Sequence, residues 1–547
     1  MIGYRIALGL TSFLLASAAS AGNSAFAASC ESLAGLKLAN TMITMAQSEA
    51  AGAFTPPGSP AGAKPVPVAF CRVGGSIKPT RDSDIRFEVW LPLTAWTGRY
   101  ESNGNGGFAG AIPYTGMVRP LIGGSAVAGT DDGHEAPTVT QAEWALGHPE
   151  KIIDFGYRAV HLTATISKAI TSAYYGSKPK HSYFVGCSKS GQEGLMEAQR
   201  YPKDFDGIIA GAPANQSVNL ISSFAANMKA NMTSEAGFIS PADVQKIGSV
   251  TTDQCDTLDG VKDGLINDPR ECSIDLASLP LTPAQLKTYQ VLHDGPKTSS
   301  GQSIYPGLPF GSEAVGWVSF VTGPSFTEAR THAAQGLFAN GFFSNFVYQN
   351  PSWDFLTFDP DKSPADAEKA VGHVMNATDP NLTAFKAHGG KLISYHGWSD
   401  ALVTPLGTLN YYNIVVAAQQ RVGGKTTAAV SQSPDSNALE KTQAFYRLFM
   451  VPGMSHCAGG PGANEFGQVG GDGDADHDVV AALEQWVERG VAPKTIIATK
   501  YVDDDRTKAV QMTRPLCVYP QAAKYKGTGD TNDASNFVCT DPSSATQ

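Results

Sequence analysis

The chain has 547 residues, of which 16% are charged, and carries a formal net charge of −10 at pH 7. This length allows two or three domains, or one large domain with an insertion. The acidic balance and the lack of any basic run along the sequence argue against nucleic-acid binding.

The N-terminus has the pattern of a secretory signal peptide. An apolar run covers residues 6–19, and small residues follow it up to Ala27. We predict cleavage after Ala27, or earlier after Ala21, and therefore a secreted or periplasmic protein. The run is too short for a membrane span, and no later stretch is apolar over a comparable length. Lipidation at Cys30 is an alternative, although it would leave an odd number of cysteines.

A glycine-rich segment follows the first clear strand pattern. Residues 85–93 alternate as a half-buried strand does, and residues 103–110 then read NGNGGFAG. This segment lacks the glycine spacing of a dinucleotide fold and the lysine of a P-loop. Esterases use such a turn to present a backbone N–H to an oxyanion. We predict that Gly107 supplies it, with Gly106 as the alternative, and a flexible turn without function is the competing interpretation.

A second strand pattern ends in polar residues. The buried-type run that begins at Ala126 is followed by Asp131, Asp132 and His134. Their loop is expected at the same edge of the sheet as the glycine-rich segment, so these side chains are candidates to line the site. A capping and turn cluster is the more ordinary interpretation for any one of them.

The sequence around Ser188 predicts a strand, a tight turn and a helix. Residues 181–187 form the strand pattern, and the helix pattern runs to about residue 199. That layout is typical of a nucleophile elbow, in which the turn lifts the serine hydroxyl clear of its backbone. The N–H of Lys189, the next residue, is then the second oxyanion donor. By itself the pentapeptide fits an ordinary strand–helix turn equally well. Residues 205–213 read as the next strand, which indicates a βαβ unit in a parallel sheet.

From about residue 215 to residue 389 the regular alternation gives way to helical pieces, long loops and aromatic residues. We interpret this stretch as an inserted lid domain, because a strand pattern resumes at residues 391–396. Loops carried on a rigid scaffold often determine function.

The insertion contains an acidic loop. Asp256, Asp259 and Asp263 are separated by glycines and suit a hard cation, and the carbonyls of Val261 and Leu265 can complete its shell. The spacing is not that of an EF-hand. An acidic surface turn is the alternative.

Two further polar residues follow predicted strands near the C-terminus. Asp400 lies in the loop after residues 391–396, and His456 lies shortly after the strand pattern at 446–451. The chain order of serine, acid and histidine is that of α/β-hydrolases. In that order, Asp400 orients the imidazole of His456, which acts as the base for Ser188.

The eight cysteines predict four disulfides in an oxidising compartment. Sequence alone does not fix their connectivity. A Cys–Ser pair at 187–188 and a His–Cys pair at 456–457 suggest one bridge that fastens nucleophile to base. Spacing suggests two local loops, and one pair remains, so the predicted pairs are Cys187–Cys457, Cys255–Cys272, Cys517–Cys539 and Cys30–Cys71.

Four motifs occur in order: NGNGGFAG, GCSKSGQEG, CDTLDGVKDG and GMSHCAGG. With these motifs the chain resembles the tannase and feruloyl esterase family, which includes hydrolases of terephthalate monoesters and is marked by a CS…D…HC arrangement. The resemblance implies an α/β protein, an α/β-hydrolase fold with a large inserted lid domain, and structural calcium in the lid. Ser190 departs from it, because the family usually has glycine there.

The predicted organisation is a signal peptide at 1–27, the first part of the hydrolase domain at 28–214, a lid with a calcium loop at 215–389, and the second part of the hydrolase domain at 390–547. The predicted function is a secreted serine carboxylesterase that hydrolyses small-molecule feruloyl, galloyl or terephthalate-monoester substrates through an acyl-enzyme. Alternatives are an esterase for aliphatic or acetyl esters and a non-catalytic binding protein on a hydrolase fold.

Overall fold

The computed structural model describes Met1 and residues 28–420, 436–468, 470 and 473–541. The predicted signal peptide, apart from Met1, lies outside the described residues. Within the described part of the chain, every helix is too short or too polar to cross a membrane.

A nine-stranded sheet forms the centre of the molecule, in the order β1-β2-β3-β5-β4-β6-β7-β8-β9. Strands β1 to β3 are antiparallel to their neighbours, whereas β5, β4 and β6 to β9 run parallel to one another. The strands are β1 Thr41–Glu49, β2 Phe70–Ile77, β3 Ile85–Pro92, β4 Arg99–Asn103, β5 Ala126–Thr130, β6 His181–Cys187, β7 Gly207–Gly211, β8 Lys391–Gly397 and β9 Tyr446–Val451.

The chain reverses its direction of travel across the sheet at β4. Strand β4 lies between β5 and β6, so the loops after β4 and β6 diverge at the same edge. Ligand sites of open parallel sheets form at such a switch point. This topology, with Ser188 in the turn after β6, confirms the predicted α/β-hydrolase fold. One detail differs from the sequence prediction: the glycine-rich segment follows β4, and not the strand at 85–92.

Helices cover both faces of the sheet and fill the segment between β7 and β8. Short 3₁₀ and π turns join several of them. The helices are α1 Tyr114–Ile122, α2 Pro149–Ile153, α3 Ala159–Tyr175, α4 Lys189–Arg200, α5 Ser217–Met232, α6 Pro241–Cys255, α7 Pro283–Asp294, α8 Glu313–Trp317, α9 Ala329–His332, α10 Ala334–Phe342, α11 Ser363–Ala367, α12 His373–Met375, α13 Thr383–His388, α14 Pro405–Ala418, α15 Ser436–Gln443 and α16 Val479–Arg489.

The central strands are buried on both faces. In β6, Tyr183 and Phe184 enter different clusters of buried side chains, and Ile208 and Ile209 do the same in β7. Strands buried on both faces read as continuous apolar runs, which is why the pattern around β7 was clear in the sequence.

The segment between β7 and β8 contains α5 to α13 and, among its described residues, no strand of the sheet. The predicted limits of the insertion, 215 and 389, both lie in this segment. Its aromatic residues pack mainly in its own interior, where Phe342, Phe343 and Phe355 have no solvent exposure.

The C-terminal segment adds two small antiparallel sheets that sequence reasoning did not predict. They are formed by β10 Thr495–Tyr501 with β11 Val510–Cys517, and by β12 Ala522–Tyr525 with β13 Phe537–Thr540. Cys517–Cys539 ties the two sheets together. The other disulfides are Cys30–Cys71, Cys187–Cys457 and Cys255–Cys272, so all four predicted pairings are confirmed.

Candidate active site

Four loops meet at the C-terminal edge of the parallel strands. They follow β4, β6, β8 and β9, and they carry Gly107, Ser188, Asp400 and His456, respectively. Parallel strands that end at one edge bring residues from distant parts of the chain together, so the topology itself assembles this site.

Ser188 occupies the turn between β6 and α4 in a strained backbone conformation. Its φ and ψ are 68° and −122°, a region that residues with a side chain rarely adopt and that costs about 1–3 kcal/mol. The turn is fixed from the neighbouring strand, because the N–H of Ser188 donates to the Gly211 carbonyl at 2.9 Å. The hydroxyl is thereby held above the sheet edge.

Ser190 explains how the turn tolerates a residue other than glycine. Its hydroxyl donates to the carbonyl of Cys187 at 2.8 Å and lies 2.8 Å from the Cys187 N–H. A small polar side chain therefore closes the turn on itself. At Gly186 a side chain has no room, since an added Cβ would lie 2.5 Å from the Cβ of Ser190.

The serine, histidine and acid form a continuous hydrogen-bonded chain. The Oγ of Ser188 lies 2.8 Å from Nε2 of His456, and Nδ1 of His456 lies 2.7 Å from Oδ2 of Asp400. A carboxylate only accepts hydrogen bonds, so Nδ1 carries the proton and Nε2 is free to accept from Ser188. The arrangement can perform general-base activation of a hydroxyl.

Asp400 is fully buried and well supplied with donors. Oδ1 accepts from the N–H groups of Leu402 and Val403 at 2.8 and 2.9 Å. Burial by itself raises the pKa of the Asp400 carboxyl, but attraction to His456 and the hydrogen bonds from His396 and His456 outweigh it and hold the pKa well below its usual value. The carboxylate therefore remains ionised beside the imidazole.

His396 supports Asp400 and was missed by sequence reasoning. It is fully buried at the end of β8, and its Nε2 lies 2.7 Å from the Val403 carbonyl and 3.2 Å from Oδ2 of Asp400. Nδ1 lies 2.8 Å from the hydroxyl of Thr408. Both Nε2 partners are acceptors, so Nε2 carries the proton. The available signal was a histidine in a buried strand four residues before the acid.

The disulfide Cys187–Cys457 joins the residues next to Ser188 and His456. Its Cα atoms are 6.0 Å apart, across a sequence separation of 270 residues. Cys457 has a φ of 64°, so the backbone turns sharply directly after His456. The bridge therefore fixes the two backbone positions on which the Ser188–His456 contact depends.

Gly107 and Lys189, the two residues predicted to offer a backbone N–H, line a cleft together with Ser188. Within the described residues, neither N–H donates to another protein group. Gly107 has a φ of 56°, and an added Cβ would lie 2.4 Å from the Val139 carbonyl, so glycine is required. Gly106 does not line the cleft, which favours Gly107 as the donor.

The polar cluster after β5 lies behind this glycine loop and does not line the cleft. His134 is buried, and its Nε2 lies 2.7 Å from the Phe108 carbonyl, so it braces the loop. Burial lowers the pKa of His134 to about 4, which leaves the ring neutral. Asp131 and Asp132 are buried as well. The suggestion that these three side chains line the site is therefore wrong, and the turn interpretation is correct for Asp131, which accepts from the N–H of Gly133 at 2.8 Å.

The cleft is narrow, with a cavity volume of about 60 Å³ beside Ser188. Lys189 is the only charged residue that lines it in the described chain, and its ammonium is engaged: it donates to Glu193 at 2.8 Å and to the Phe155 carbonyl at 3.0 Å. The remaining walls are almost wholly apolar and come from the glycine loop, the segment before α3, α5, α10, α12 and the Asp400 loop: Phe108, Phe155, Ala214, Leu220, Ile221, Phe224, Phe338, Met375, Leu402 and Val403.

The acidic loop after α6 offers oxygen atoms to a cation. The pKa of Asp259 is raised to about 6, first by burial and then by the nearby charges of Asp263 and Asp256, although an N–H of Val261 opposes this. Crowded carboxylates of this kind suit Ca²⁺. Arg514 forms an ion pair with Asp263 and already offsets part of the charge.

Comparison with known proteins places the chain among esterases. The family model described as "Tannase and feruloyl esterase" matches residues 71–540. An uncharacterised esterase of Xanthomonas campestris is 41% identical over 94% of this chain and 91% of its own length. A probable feruloyl esterase B of Aspergillus clavatus is 33% identical, with coverage of 97% and 99%.

Among solved structures, feruloyl esterase B from Aspergillus oryzae superposes with a TM-score of 0.82 at 28% identity. The superposition covers 93% of this chain and 99% of the other.

Proposed function

Because the chain belongs to the tannase and feruloyl esterase family and is therefore a carboxylic ester hydrolase, we propose that it cleaves esters whose aromatic acyl group carries no charge, with Ser188 as the nucleophile. The single observation that carries this proposal is the hydrogen-bonded chain from Ser188 through His456 to Asp400, at 2.8 and 2.7 Å. The family membership disfavours the non-catalytic alternative.

In the first step His456 takes the hydroxyl proton of Ser188 as the oxygen attacks the ester carbonyl. The N–H groups of Gly107 and Lys189 receive the negative charge on the carbonyl oxygen, and each such donor is worth about 3–4 kcal/mol. His456 then protonates the leaving alcohol. Water repeats the sequence on the acyl-enzyme and releases the acid.

The cleft favours an acyl group without charge. A terephthalate monoester would bring its free carboxylate against apolar walls, where the ammonium of Lys189 is already bound by Glu193. An unpaired buried charge is strongly unfavourable. A galloyl group carries three hydroxyls that would need partners, whereas a feruloyl group carries one. Ser217 lines the cleft and donates to main-chain carbonyls, so its oxygen remains free to accept from one phenol.

A matched pair of esters tests the acyl preference. Dimethyl terephthalate and monomethyl terephthalate differ only in the far group, which is a neutral methyl ester in the first and a carboxylate in the second. We expect kcat/KM to be about 100-fold higher for the diester, which corresponds to about 2.7 kcal/mol of desolvation. Methyl ferulate should exceed methyl gallate in the same assay. Equal rates for the two terephthalates would contradict the proposal.

An aliphatic acyl group is a second candidate, because Leu220, Ile221, Leu402 and Val403 give the cleft an aliphatic side as well. Methyl butyrate and methyl cinnamate, assayed together, distinguish the two. A higher kcat/KM for the butyrate would favour the aliphatic esterase.

The remaining parts of the proposal concern the whole protein. Residues 215–389 act as a lid, since α5 and α10 supply Leu220, Ile221, Phe224 and Phe338 to the cleft. Asp256, Asp259 and Asp263, with the carbonyls of Val261 and Leu265, would hold structural calcium. The protein is exported, which four disulfides support because such bonds persist in oxidising compartments.

A further inference from the structure

Two carboxyl groups lie together behind the glycine loop. Glu193, one helical turn after Lys189 on α4, is 1% exposed. Its Oε2 accepts from the N–H of Asn105 at 3.2 Å, two residues before Gly107. The fit is close, because a Cβ added at Gly104 would lie 2.2 Å from the same oxygen. Glu193 is therefore an anchor of this loop.

Asp132, at the end of β5, is the second carboxyl group. It has no solvent exposure. Asn105, whose N–H donates to Glu193, also donates from Nδ2 to the Thr130 carbonyl at 2.6 Å, so the same residue joins Glu193 to the chain two residues before Asp132. Neither carboxyl oxygen of Asp132 accepts a hydrogen bond from any described donor. A carboxylate that is buried without donors would be very costly.

The hydrogen-bond donors around Glu193 and Asp132 indicate which of the two carboxyl groups carries a proton. Glu193 accepts from the Lys189 ammonium on Oε1 and from Asn105 on Oε2, so it has the environment of an ionised carboxylate. Asp132 accepts a hydrogen bond from neither of these donors. The Lys189 ammonium is therefore the one positive charge beside two acids in the part of the chain that the structure describes. Two carboxyl groups that share a buried site hold one proton between them.

We propose that Asp132 keeps a proton at neutral pH and donates it in a hydrogen bond to Glu193, and that this pair positions the glycine loop whose N–H groups face Ser188. The protonation stands on its own, whereas the positioning role rests on the proposed esterase function. Asp132 is a positioning residue that acts through Glu193 and Asn105.

Loss of that proton would place two like charges in a closed space and release the anchor on Asn105. Burial, followed by the Glu193 carboxylate, raises the pKa of Asp132 well above its usual value, and Lys189 opposes this. The charged groups that act on Asp132 are Glu193 and Lys189 from α4 and Asp131 from its own segment. His134 contacts the backbone of Asp132, and Asp154 from the turn before α3 lies against the next residue, Gly133.

The first test measures stability and needs no substrate. A carboxyl group with a raised pKa binds its proton in the folded state while the unfolded state has already lost it, so the folded state loses stability as pH rises from about 4 toward the folded pKa. Asp132→Asn cannot titrate. The melting temperature of this variant minus that of wild type should therefore increase with pH, by about 1 °C per unit for a chain of this size.

Asp253→Asn is the matched control, because it makes the same substitution at an exposed position on α6. Its difference from wild type should be independent of pH. If Asp132→Asn does not fold, Asp132→Ser replaces it, since a hydroxyl also donates and does not ionise in this range. A difference that stays constant, or that increases as pH falls, would show that Asp132 is ionised and would overturn the proposal.

The second test compares how kcat changes with pH in wild type and in Asp132→Asn. We expect kcat of wild type to fall by about threefold or more as the pH is raised from about 7 into the alkaline range. The fall should be smaller in Asp132→Asn. Coincident profiles would overturn the positioning role. If the wild-type enzyme hydrolyses no ester, the proposed function fails, while the melting series still decides where the proton lies.

Discussion

The proposed catalysis sets two requirements on single residues. The proposed nucleophile must stand away from its backbone, and the proposed base must hold one tautomer. Ser188 meets the first through its positive φ. Asp400 meets the second, because its buried carboxylate accepts from Nδ1 of His456 and leaves Nε2 facing the hydroxyl. His396, buried beside Asp400, keeps that carboxylate in place.

Removing either group should abolish turnover without unfolding the protein. Ser188→Ala loses the nucleophile and should lower kcat by about 10⁶-fold. Asp400→Asn keeps the shape but favours the wrong imidazole tautomer, and should lower kcat by about 10⁴-fold. Ester hydrolysis and thermal melting, measured on the same preparations, check both. Near wild-type turnover in Ser188→Ala would refute the assignment of the nucleophile.

The glycine loop offers a test with its own control. Gly107→Ala forces a Cβ against the Val139 carbonyl at 2.4 Å and into a backbone region that disfavours side chains, so the loop must shift. We expect kcat to fall by up to about 10²–10³-fold, as for loss of an oxyanion donor. At Gly106 an added Cβ meets nothing within 4 Å. Gly106→Ala should therefore keep most of the activity, and equal losses in the two variants would contradict a specific role for Gly107.

Sequence reasoning could reach Ser188, Asp400 and His456 because each follows a recognisable strand in a known order. It did not reach Glu193 or His396. Their roles depend on which strands become neighbours in the sheet and on which donors remain free after folding. No local pattern contains that information.

At the scale of elements, the site depends on how strand ends are brought together. The strand β4 was not predicted, since its five residues, Arg99–Asn103, are too few for a clear alternation. It nevertheless lies between β5 and β6 and delivers the glycine loop. The strand at residues 446–451 agrees with β9 in both limits, because an apolar run between polar segments defines it.

The disulfide Cys187–Cys457 should support catalysis more than its contribution to folding suggests. Closing a loop of 270 residues gives at most about 5–6 kcal/mol by chain entropy. Replacing both cysteines by serine frees the backbone next to Ser188 and His456, and we expect kcat to fall at temperatures where the variant is still folded. Mild reduction should have the same effect.

Cys517–Cys539 is the matched control for that experiment. It closes a loop with a sequence separation of 22 in the C-terminal segment, away from Ser188. Its double serine variant should lose up to about 3 kcal/mol of stability and keep its kcat. The disulfide idea would be abandoned if both variants lost the same fraction of turnover at a temperature where both are folded.

At the scale of the whole molecule, calcium should stabilise the folded state. Ligand at 100 times its dissociation constant adds about 2.7 kcal/mol, so chelation should lower the melting temperature by about 2–3 °C for a chain of this size. Asp259→Asn removes one predicted ligand and should no longer respond to added Ca²⁺. Equal melting temperatures of wild type with chelator and with Ca²⁺ would exclude a structural site of useful affinity.

The pH dependence of stability is governed by buried carboxyl groups whose pKa values are raised in the folded state. Burial raises the pKa of Glu101, Asp131 and Glu313 to about 7 in each case. Between about pH 4 and about pH 7 the folded state binds more protons at these groups than the unfolded state does, so stability falls as pH rises through this window and levels off above it. Asp400 and His134 act in the opposite direction, because their pKa values are lowered. The contribution of Asp400 is lost only at strongly acid pH, and that of His134 offsets about one of the three acids between about pH 4 and pH 6.5. We therefore expect a higher melting temperature near pH 5 than near pH 8, and Glu101→Gln should reduce the difference. A melting temperature that rises steadily over the same range would mean that these carboxyl groups are ionised in the folded protein.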